Sequence, residues 1–383
     1  MKSSRIAKIA TVALAFGLIL SASPAQATDL QGSGASFPAL LIEGCKAGFA
    51  KDTTHTYTYA ASSSGTGQSN SDKSIGDFWM SDGAYTAATK RSTLIHVPLV
   101  AAPIAILHNL PGSKTLNLSA KTIAGIFGGT ITKWNDPAIV ADNNRTYDRI
   151  TYKLDRNGNP VKDAKGNPIV LKTRKLNAIY TLPNQTIRVI YRSDSSGTTE
   201  NFTNYLAKSA PTVWTKAKNK VFKDSFPGDI NAMANLGRVV GAASSTGVSQ
   251  LAGKSPYSIT YAEVNYAAAN KLKIANLINP AGSSVSADST GVGAFLSSAS
   301  QDANGFLTYD YATTEKGAYP LGIVSYLLAD TKYAKAGQAE AVKSFANYIL
   351  STKCSKDVGG PLGFSVIDGE LLKKSLSQVA KIG

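Results

Sequence analysis

Residues that commonly build enzyme and metal sites are scarce in this chain. Its 383 residues include only two cysteines and three histidines, and the histidines (His55, His96 and His108) lie far apart in sequence. Zinc sites usually draw their ligands from closely spaced Cys and His residues, so the sequence predicts no metal centre. A serine hydrolase is not excluded, but no Gly-x-Ser-x-Gly motif follows a clear strand pattern.

A long membrane-spanning apolar run is also lacking. The apolar run near the N-terminus, residues 9–19, is too short to cross a bilayer as a helix. It follows three basic residues and precedes a small-x-small motif at residues 25–27, an order typical of a secretory signal peptide. We therefore expect residues 1–27 to be a cleaved leader and the mature protein to be exported, whether periplasmic, cell-surface or secreted. No cysteine stands at the cleavage point, so a lipid anchor is not expected.

Acidic residues are fewer than basic ones. The chain has 40 Lys and Arg against 25 Asp and Glu, a net charge of +15; the leader carries three of the basic residues and no acid, which leaves +12 for the mature chain. Such an excess favours the binding of anions. Because the basic residues are scattered and the chain is expected outside the cytoplasm, we expect small anions rather than nucleic acid as partners.

The two cysteines, Cys45 and Cys354, suggest one disulfide, because an even count in an exported protein usually means that the cysteines pair. Their wide spacing excludes a local metal knuckle. The sequence by itself does not show that the two residues meet.

The segment 192–198, Arg-Ser-Asp-Ser-Ser-Gly-Thr, carries a dense set of groups suited to an anion. Residues 186–191 before it are β-branched and aromatic, and residues 201–208 after it show helical apolar spacing, which predicts a strand-to-helix turn. Backbone N–H groups at the helix start, together with the Arg192 guanidinium and nearby hydroxyls, suit a small oxyanion. The same residues suit an ordinary helix cap, and the segment alone does not distinguish the two.

Two further Gly/Ser-rich turns are predicted earlier in the chain. Residues 32–38 lead into a predicted helix at residues 39–51, with Pro38 favourable in its first turn. Residues 62–68 follow a predicted strand at residues 54–60, and on composition alone we interpret them as a linker.

The remaining pattern alternates between strands and helices, which indicates an α/β protein. Strands are predicted at 75–82, 96–108, 258–261 and 319–329, and helices at 119–127 and 339–350. The long apolar segment 96–108, with two prolines, is expected to be an extended crossover. Asp82 ends the first of these strands, and taken alone it is expected to be a solvated turn residue.

Two further segments are not expected to contribute to a binding site. Residues 141–184 are polar and basic and contain two Gly-Asn-Pro turns, which predicts an exposed β-ribbon insertion. Residues 245–255 resemble a phosphate loop, but five residues rather than four separate the glycines, and Pro256 would block the helix that should follow. We therefore expect no nucleotide site there.

The three Gly/Ser-rich segments and Asp82 together indicate a family more specifically than any one of them does. Gly-Ser-Gly-Ala-Ser-Phe-Pro at 32–38, Ser-Gly-Thr-Gly-Gln at 64–68, Phe-x-x-Ser-Asp at 78–82 and Arg-x-Asp-x-Ser-Gly-Thr at 192–198 resemble the PstS family, the phosphate-binding proteins of high-affinity phosphate ABC transporters. Residues 118–136 are also similar to that family. The resemblance covers nearly all of the mature chain except residues 141–184.

This resemblance implies a set of phosphate-binding residues. By position they are Ser36, Phe37, Ser64, Asp82, Arg192, Asp194, Ser196, Gly197 and Thr198. Ser36 stands where many relatives have threonine, a change that keeps the hydroxyl. No cofactor is implied, because the ligand is inorganic phosphate held by hydrogen bonds.

The resemblance also implies a fold of two α/β lobes joined by crossover strands, with the ligand cleft between them. Residues 28–100 and 319–383 would form lobe one, and residues 101–318 would form lobe two, with the crossovers where these ranges meet. Cys45 and Cys354 would then share a lobe, which strengthens the case for a disulfide. We expect the lobes to close on the ligand by a hinge motion.

The function that the resemblance implies is non-enzymatic: a monomer captures phosphate and delivers it to a membrane permease. Asp82 would accept a hydrogen bond from the proton that phosphate keeps near neutral pH and that sulfate lacks. The alternatives are a receptor for another oxyanion, a secreted phosphatase and a surface-adhesion role for residues 141–184. Asp82 and Arg192 argue against the first alternative, and the isolated histidines argue against the second.

Overall fold

The computed structural model describes residues 27–112, 114–156, 160–164, 166–177, 179–302 and 305–383. The leader predicted at residues 1–27 lies, except for Ala27, outside these ranges. Within them, no helix combines the length and apolar character that a membrane crossing requires.

Strands and helices alternate along the chain, as the sequence pattern predicts. The strands are β1 (Asp29–Ala35), β2 (Thr56–Ser62), β3 (Phe78–Ser81), β4 (Leu94–His108), β5 (Asn117–Ser119), β6 (Thr146–Tyr152), β7 (Val170–Asn177), β8 (Arg188–Arg192), β9 (Val239–Ala242), β10 (Ser258–Glu263), β11 (Lys273–Ile278), β12 (Ser284–Val285), β13 (Ser300–Gln301), β14 (Leu307–Thr308) and β15 (Gly322–Asp330).

The helices lie between these strands along the chain. They are α1 (Ala39–Asp52), α2 (Ser64–Asp72), α3 (Ala120–Phe127), α4 (Pro137–Asn143), α5 (Gly197–Ser209), α6 (Phe222–Ser225), α7 (Ser244–Gly253), α8 (Asn265–Ala269), α9 (Ser289–Leu296), α10 (Gln338–Leu350) and α11 (Gly369–Val379), with a 3-10 turn at Met233–Asn235 and a π turn at Thr352–Lys356. Ser119 caps α3 by accepting the Thr122 N–H at 3.3 Å, as its sequence pattern predicts.

Most of the strands join one curled sheet in the order β2-β1-β3-β15-β4-β10-β8-β9, and β11 branches from β4 to reach β5 and β12. Strand β1 lies parallel to β2 and β3 at one end of the sheet. Strand β8 lies parallel to β9 and β10 at the other end. Between them, β4 and β15 run antiparallel to each other.

Strand β4 connects the two ends of the sheet. Its residues 94–103 pair with β15, and its residues 104–108 pair with β10. Pro98 lies at the register shift in the β4–β15 ladder, and Pro103 is the last residue of β4 paired with β15. These are positions where a strand tolerates a missing N–H. The extended segment predicted at 96–108 is therefore confirmed as a strand.

The predicted turn at residues 32–38 is wrong over most of its length, because residues 29–35 form β1. The glycines there serve close packing between strands. A Cβ atom at Gly32 would lie 2.1 Å from the Phe78 ring, so only glycine admits that ring. The turn is reduced to residues 36–38, directly before α1.

The linker interpretation of residues 62–68 is also wrong, because residues 64–72 form α2. Its composition is poor for a helix, since glycine, serine and asparagine have low helix propensity. The helix begins because Ser63 caps it by accepting the Thr66 N–H at 3.1 Å. Packing against β1 and β3 then stabilises it, which composition alone does not reveal.

The ribbon predicted at residues 141–184 is confirmed in part: the antiparallel pair β6–β7 extends from Thr146 opposite Asn177, whereas residues 141–143 belong to α4. The turn residues 157–159 and residue 165 lie outside the described ranges. The segment between β6 and β7 contacts the rest of the protein through an ion pair, in which Lys162 Nζ lies 2.7 Å from the Asp368 carboxylate.

The disulfide suggested by the cysteine count is confirmed. Cys45 in α1 is bonded to Cys354 beyond α10, with their Cα atoms 5.5 Å apart, and the bond closes a loop with a sequence separation of 309. Both cysteines are buried. The bond therefore fixes the C-terminal helices to the first helix of the fold.

Replacing both cysteines by alanine should lower the free energy of unfolding by about 2–5 kcal/mol, because the long loop regains its entropy in the unfolded chain. Urea denaturation followed by circular dichroism measures the difference. Wild-type protein treated with a reductant is the matched control and should approach the double variant. An unchanged midpoint in both samples would show that the bond does not contribute to stability.

Candidate anion-binding site

Polar residues from four segments meet near the ends of β1, β3 and β8. Ser36 and Phe37 follow β1, Asp82 follows β3, and Arg192 ends β8. The fourth segment is the start of α2, at Ser64. The carboxyl ends of parallel strands share one edge of a sheet, and ligands commonly bind there.

Asp82 is the centre of the first group of contacts. Its carboxylate accepts hydrogen bonds from Ser325 Oγ at 2.8 Å and from Thr198 Oγ1 at 3.1 Å. Ser64 Oγ lies 3.4 Å from the same carboxylate and accepts the Asp82 backbone N–H at 3.1 Å. The residue is only 2% exposed, so the solvated turn predicted for it is wrong.

This environment changes the acidity of Asp82. Burial raises the pKa of its carboxyl to about 6, although the hydrogen bond from Ser325 and the charge of Arg192 oppose the shift. Loss of hydration disfavours the charged form, and nearby donors and cations favour it. Asp82 is therefore ionised at neutral pH, but less firmly than an exposed aspartate.

Arg192 is the centre of the second group of contacts and is 1% exposed. Its Nε and Nη2 donate to the two carboxylate oxygens of Asp194 at 2.7 and 2.5 Å, a bidentate pair. Its Nη1 donates to Ser245 Oγ at 3.2 Å. Burial favours the neutral guanidine, but the bond to Asp194 outweighs it and the pKa of Arg192 is raised. The guanidinium is thus a fixed, buried positive charge.

Helix α5 begins against Asp82. Ser196 caps it by accepting the Thr199 N–H at 3.1 Å, so the cap interpretation of this segment is confirmed. Gly197 is the first helical residue, and a Cβ atom there would lie 2.4 Å from Ser64 Oγ and 2.8 Å from Asp82 Cβ. A glycine is therefore required for the helix N-terminus to approach the carboxylate this closely.

Ser36 and Phe37 lie on the far side of Arg192. Ser36 Oγ is 3.2 Å from Ser245 Oγ and accepts the Ser245 backbone N–H at 3.3 Å. Ser36 thus reaches Arg192 through Ser245. Phe37 is buried and its ring meets the edge of Phe364, with centroids 6.4 Å apart. Its side chain is a packing residue, so the backbone is the part of Phe37 that remains for a ligand.

Several residues of the site are missed by sequence reasoning. Ser245 lies in the first turn of α7, and most of the segment 245–255 is that helix rather than a loop preceding one. The lack of a nucleotide motif excludes a phosphate loop, but it does not exclude a helix N-terminus. A serine in the first turn of a helix was the available signal.

The other missed residues come from strands. Ser325 of β15 donates to Asp82, and Tyr261 Oη of β10 accepts the Arg192 backbone N–H at 3.2 Å. Thr199 Oγ1 lies 2.7 Å from the same Tyr261 hydroxyl. Nothing in the local sequence marks these residues, because their partners are distant in the chain.

A cleft with a volume of about 490 Å³ leads from the surface to Asp82. Its walls include Asn201, Tyr309 and Tyr326, and Lys218 lies among its lining residues. Asn201 Nδ2 also donates to the Asp82 backbone carbonyl at 2.7 Å. The cleft gives a route by which a small hydrophilic ligand reaches the carboxylate.

Metal ligands do not assemble in the part of the chain that the structure describes, since no group of three His, Cys, Asp or Glu side chains there could hold an ion. Burial lowers the pKa of both His96 and His108 to about 3, so both imidazoles are uncharged at neutral pH. Neither histidine therefore adds a positive charge at neutral pH, and the buried positive charge among the site residues is that of Arg192.

Comparison with known proteins shows which family this chain belongs to. The model of the PBP superfamily domain matches residues 21–353. Phosphate-binding protein PstS 3 of Mycobacterium tuberculosis is 32% identical over 303 residues, which cover 76% of this chain and 70% of that protein. Phosphate-binding protein PstS of Haemophilus influenzae is 29% identical over 359 residues, covering 92% and 93%.

Solved structures agree with this on the fold. A high-affinity periplasmic phosphate-binding protein, PfluDING, solved with phosphate bound, superposes with a TM-score of 0.65 and 22% identity over 92% of each chain. That likeness shows the α/β fold of periplasmic binding proteins. The chain therefore belongs to the PBP superfamily and, within it, to the PstS family of phosphate-binding proteins.

Proposed function

We propose that this protein is an extracytoplasmic solute-binding protein that captures inorganic phosphate and delivers it to the permease of an ABC transporter. The observation that carries the proposal is the buried pairing of Asp82 with donors that suit an oxyanion. The relatives are named as phosphate-binding proteins, which supports a binding role rather than catalysis.

The proposed ligand set consists of hydrogen-bond donors, the Asp82 carboxylate, and the Asp194 carboxylate that orients Arg192. It comprises Ser36, Phe37, Ser64, Asp82, Arg192, Asp194, Ser196, Gly197 and Thr198. Three of the five Arg192 N–H groups are used by Asp194 and Ser245, which leaves two for the anion. Backbone N–H groups at the start of α5 add further donors without adding charge.

Asp82 provides the selection between anions. Phosphate near neutral pH retains a proton that it can donate to the carboxylate, whereas sulfate has none. Sulfate at this site would place an oxygen without a proton against the Asp82 carboxylate, and the hydrogen bond lost relative to phosphate costs on the order of 1–3 kcal/mol. A site that also disfavours sulfate is more selective for phosphate than a site that only supplies hydrogen-bond donors.

We also propose the lobe boundaries 28–100 with 319–383, and 101–318. The support is that β4 changes partners from β15 to β10 between Pro103 and Ile104. With these boundaries, Asp82 and Ser64 belong to lobe one and Thr198 to lobe two. The 3.1 Å bond between Thr198 and Asp82 then crosses the cleft, as in a closed state. Opening would break it and admit the ligand.

The predicted leader supports a location outside the cytoplasm. We propose cleavage after Ala27 and action as a monomer outside the cytoplasm, with membrane permease subunits as the partner. The ribbon β6–β7 is an appendage in this proposal, because the contacts around Asp82 and Arg192 use no ribbon residue among those described.

Asp82→Asn should narrow the preference for phosphate over sulfate by about tenfold or more, which corresponds to about 1.4 kcal/mol. The amide removes the charge that repels sulfate and supplies donors to it. Calorimetric titration with each anion at pH 7 measures both affinities. The matched control is Asp224→Asn, at an exposed position. If Asp82→Asn kept the wild-type selectivity, Asp82 would not choose the anion.

Arg192→Ala should weaken phosphate binding by at least about tenfold, because the anion loses a charge-assisted fork. The phosphate affinity of Arg192→Lys should lie between those of wild type and Arg192→Ala, since lysine keeps the positive charge and loses the planar geometry. Titration of both variants, with exposed Arg149→Ala as the control, gives the comparison. Full affinity in a folded Arg192→Ala protein would place the site elsewhere.

Replacing residues 147–176 by a short Gly-Ser linker between Thr146 and Asn177, which pair with each other, should leave phosphate affinity within about twofold of wild type. The same titration measures it, with the intact chain as reference. A loss of binding in a folded deletion variant would give the ribbon a part in the site.

A further inference from the structure

Glu263, at the end of β10, is a second buried carboxyl beside the proposed site. The residue is 1% exposed. Its Oε1 lies 3.1 Å from Ser245 Oγ. Its Oε2 is buried without a hydrogen-bond partner among the described residues. A buried carboxylate oxygen without a donor is costly, so the protonated form of Glu263 is favoured.

Three side chains form a continuous line from this carboxyl to the site. Glu263 contacts Ser245 Oγ, and Ser245 Oγ lies 3.2 Å from Ser36 Oγ. Ser245 Oγ also accepts from Arg192 Nη1 at 3.2 Å. Glu263 is therefore connected to two proposed phosphate ligands through a single hydroxyl.

We propose that Glu263 is a positioning residue of the phosphate site, and that its protonated form prepares the Glu263–Ser245–Ser36 chain to donate to the bound anion. The inference rests on the proposed function and goes beyond it, since it concerns how the protein's own protonation controls ligand binding.

The direction of the hydrogen bonds gives the first reason. A protonated Glu263 donates to Ser245 Oγ, the Ser245 hydroxyl hydrogen then turns to Ser36 Oγ, and the Ser36 hydroxyl is left to donate to the anion. An ionised Glu263 accepts only, so the Ser245 hydrogen turns back to it. Ser36 Oγ then keeps only the Ser245 backbone N–H as a donor, and its own hydrogen can turn to Ser245 Oγ instead of the ligand.

Charge gives the second reason. The charged and titratable groups that act on Glu263 are Arg192 on β8, Asp82 after β3 and Tyr266 on α8. Burial raises the pKa of Glu263 to about 8, with Arg192 opposing the shift and Asp82 adding to it. Below that pH Glu263 is neutral. Above it the site gains a negative charge, which repels phosphate, so affinity should fall as pH rises through about 8.

The test is phosphate affinity measured by calorimetry from pH 6 to 9.5 for wild type and Glu263→Gln. Glutamine is close in shape, cannot ionise and keeps a donor. The ratio of wild-type to variant affinity should fall about tenfold between pH 7 and pH 9. Comparing the two proteins at each pH cancels the titration of phosphate itself. Exposed Glu340→Gln is the control and should follow wild type throughout.

A second measurement follows the proton. At pH 9, titrations of wild type and Glu263→Gln in buffers of different ionisation enthalpy should show uptake of about one more proton per phosphate by wild type, because binding restores the neutral Glu263. Any proton taken up by phosphate itself is common to both proteins, so a purely structural role for Glu263 predicts equal uptake.

The outcomes separate this inference from the proposed function. If wild type does not bind phosphate at pH 7, the proposed function fails. If wild type binds, but its affinity follows the same pH curve as Glu263→Gln, the inference is overturned and the function stands. If Glu263→Gln does not fold, infrared difference spectra of wild type at pH 9 decide: a protonated-carboxyl band that appears on phosphate binding supports the inference, and its absence overturns it.

Discussion

The structure depends on the enclosure of the Asp82 carboxylate among groups that otherwise attract anions. Thr198, Ser325 and Ser64 surround it, and the buried Arg192 guanidinium lies near enough to lower its pKa. A buried carboxylate is costly unless donors compensate it. The fold places those donors from four separate segments, and the same arrangement makes the site sensitive to whether a ligand carries a proton.

The framework that achieves this is the order of the strands. Strand β4 is shared between β15 on one side and β10 on the other, so the segments after β3 and β8 come from opposite ends of one curled sheet. Gly197 allows the N-terminus of α5 to touch Ser64 and Asp82. The disulfide between Cys45 and Cys354 fixes the C-terminal helices beside α1, the helix that follows β1. Rigid elements thus hold each polar group in place.

The sequence pattern predicts the α/β class, the long strand β4 and the ribbon, because each has a local signal in spacing or turn residues. For residues 192–198 it leaves a helix cap and an anion site as alternatives. It mistook β1 and the start of α2 for a turn and a linker, since glycine and serine there serve packing and capping rather than flexibility. Ser245, Ser325 and Glu263 were missed for another reason. Their partners lie far away in the chain, and no local pattern reports a contact such as Ser36 to Ser245.

The central claim is that one anion occupies the space between Asp82 and Arg192, and a crystal structure of the mature chain grown with phosphate tests it most directly. The account predicts one phosphate with an oxygen within hydrogen-bond distance of the Asp82 carboxylate, and others near Arg192 and the N-terminus of α5. A phosphate bound away from Asp82, or a site that fills equally well with sulfate in the same crystals, would contradict it.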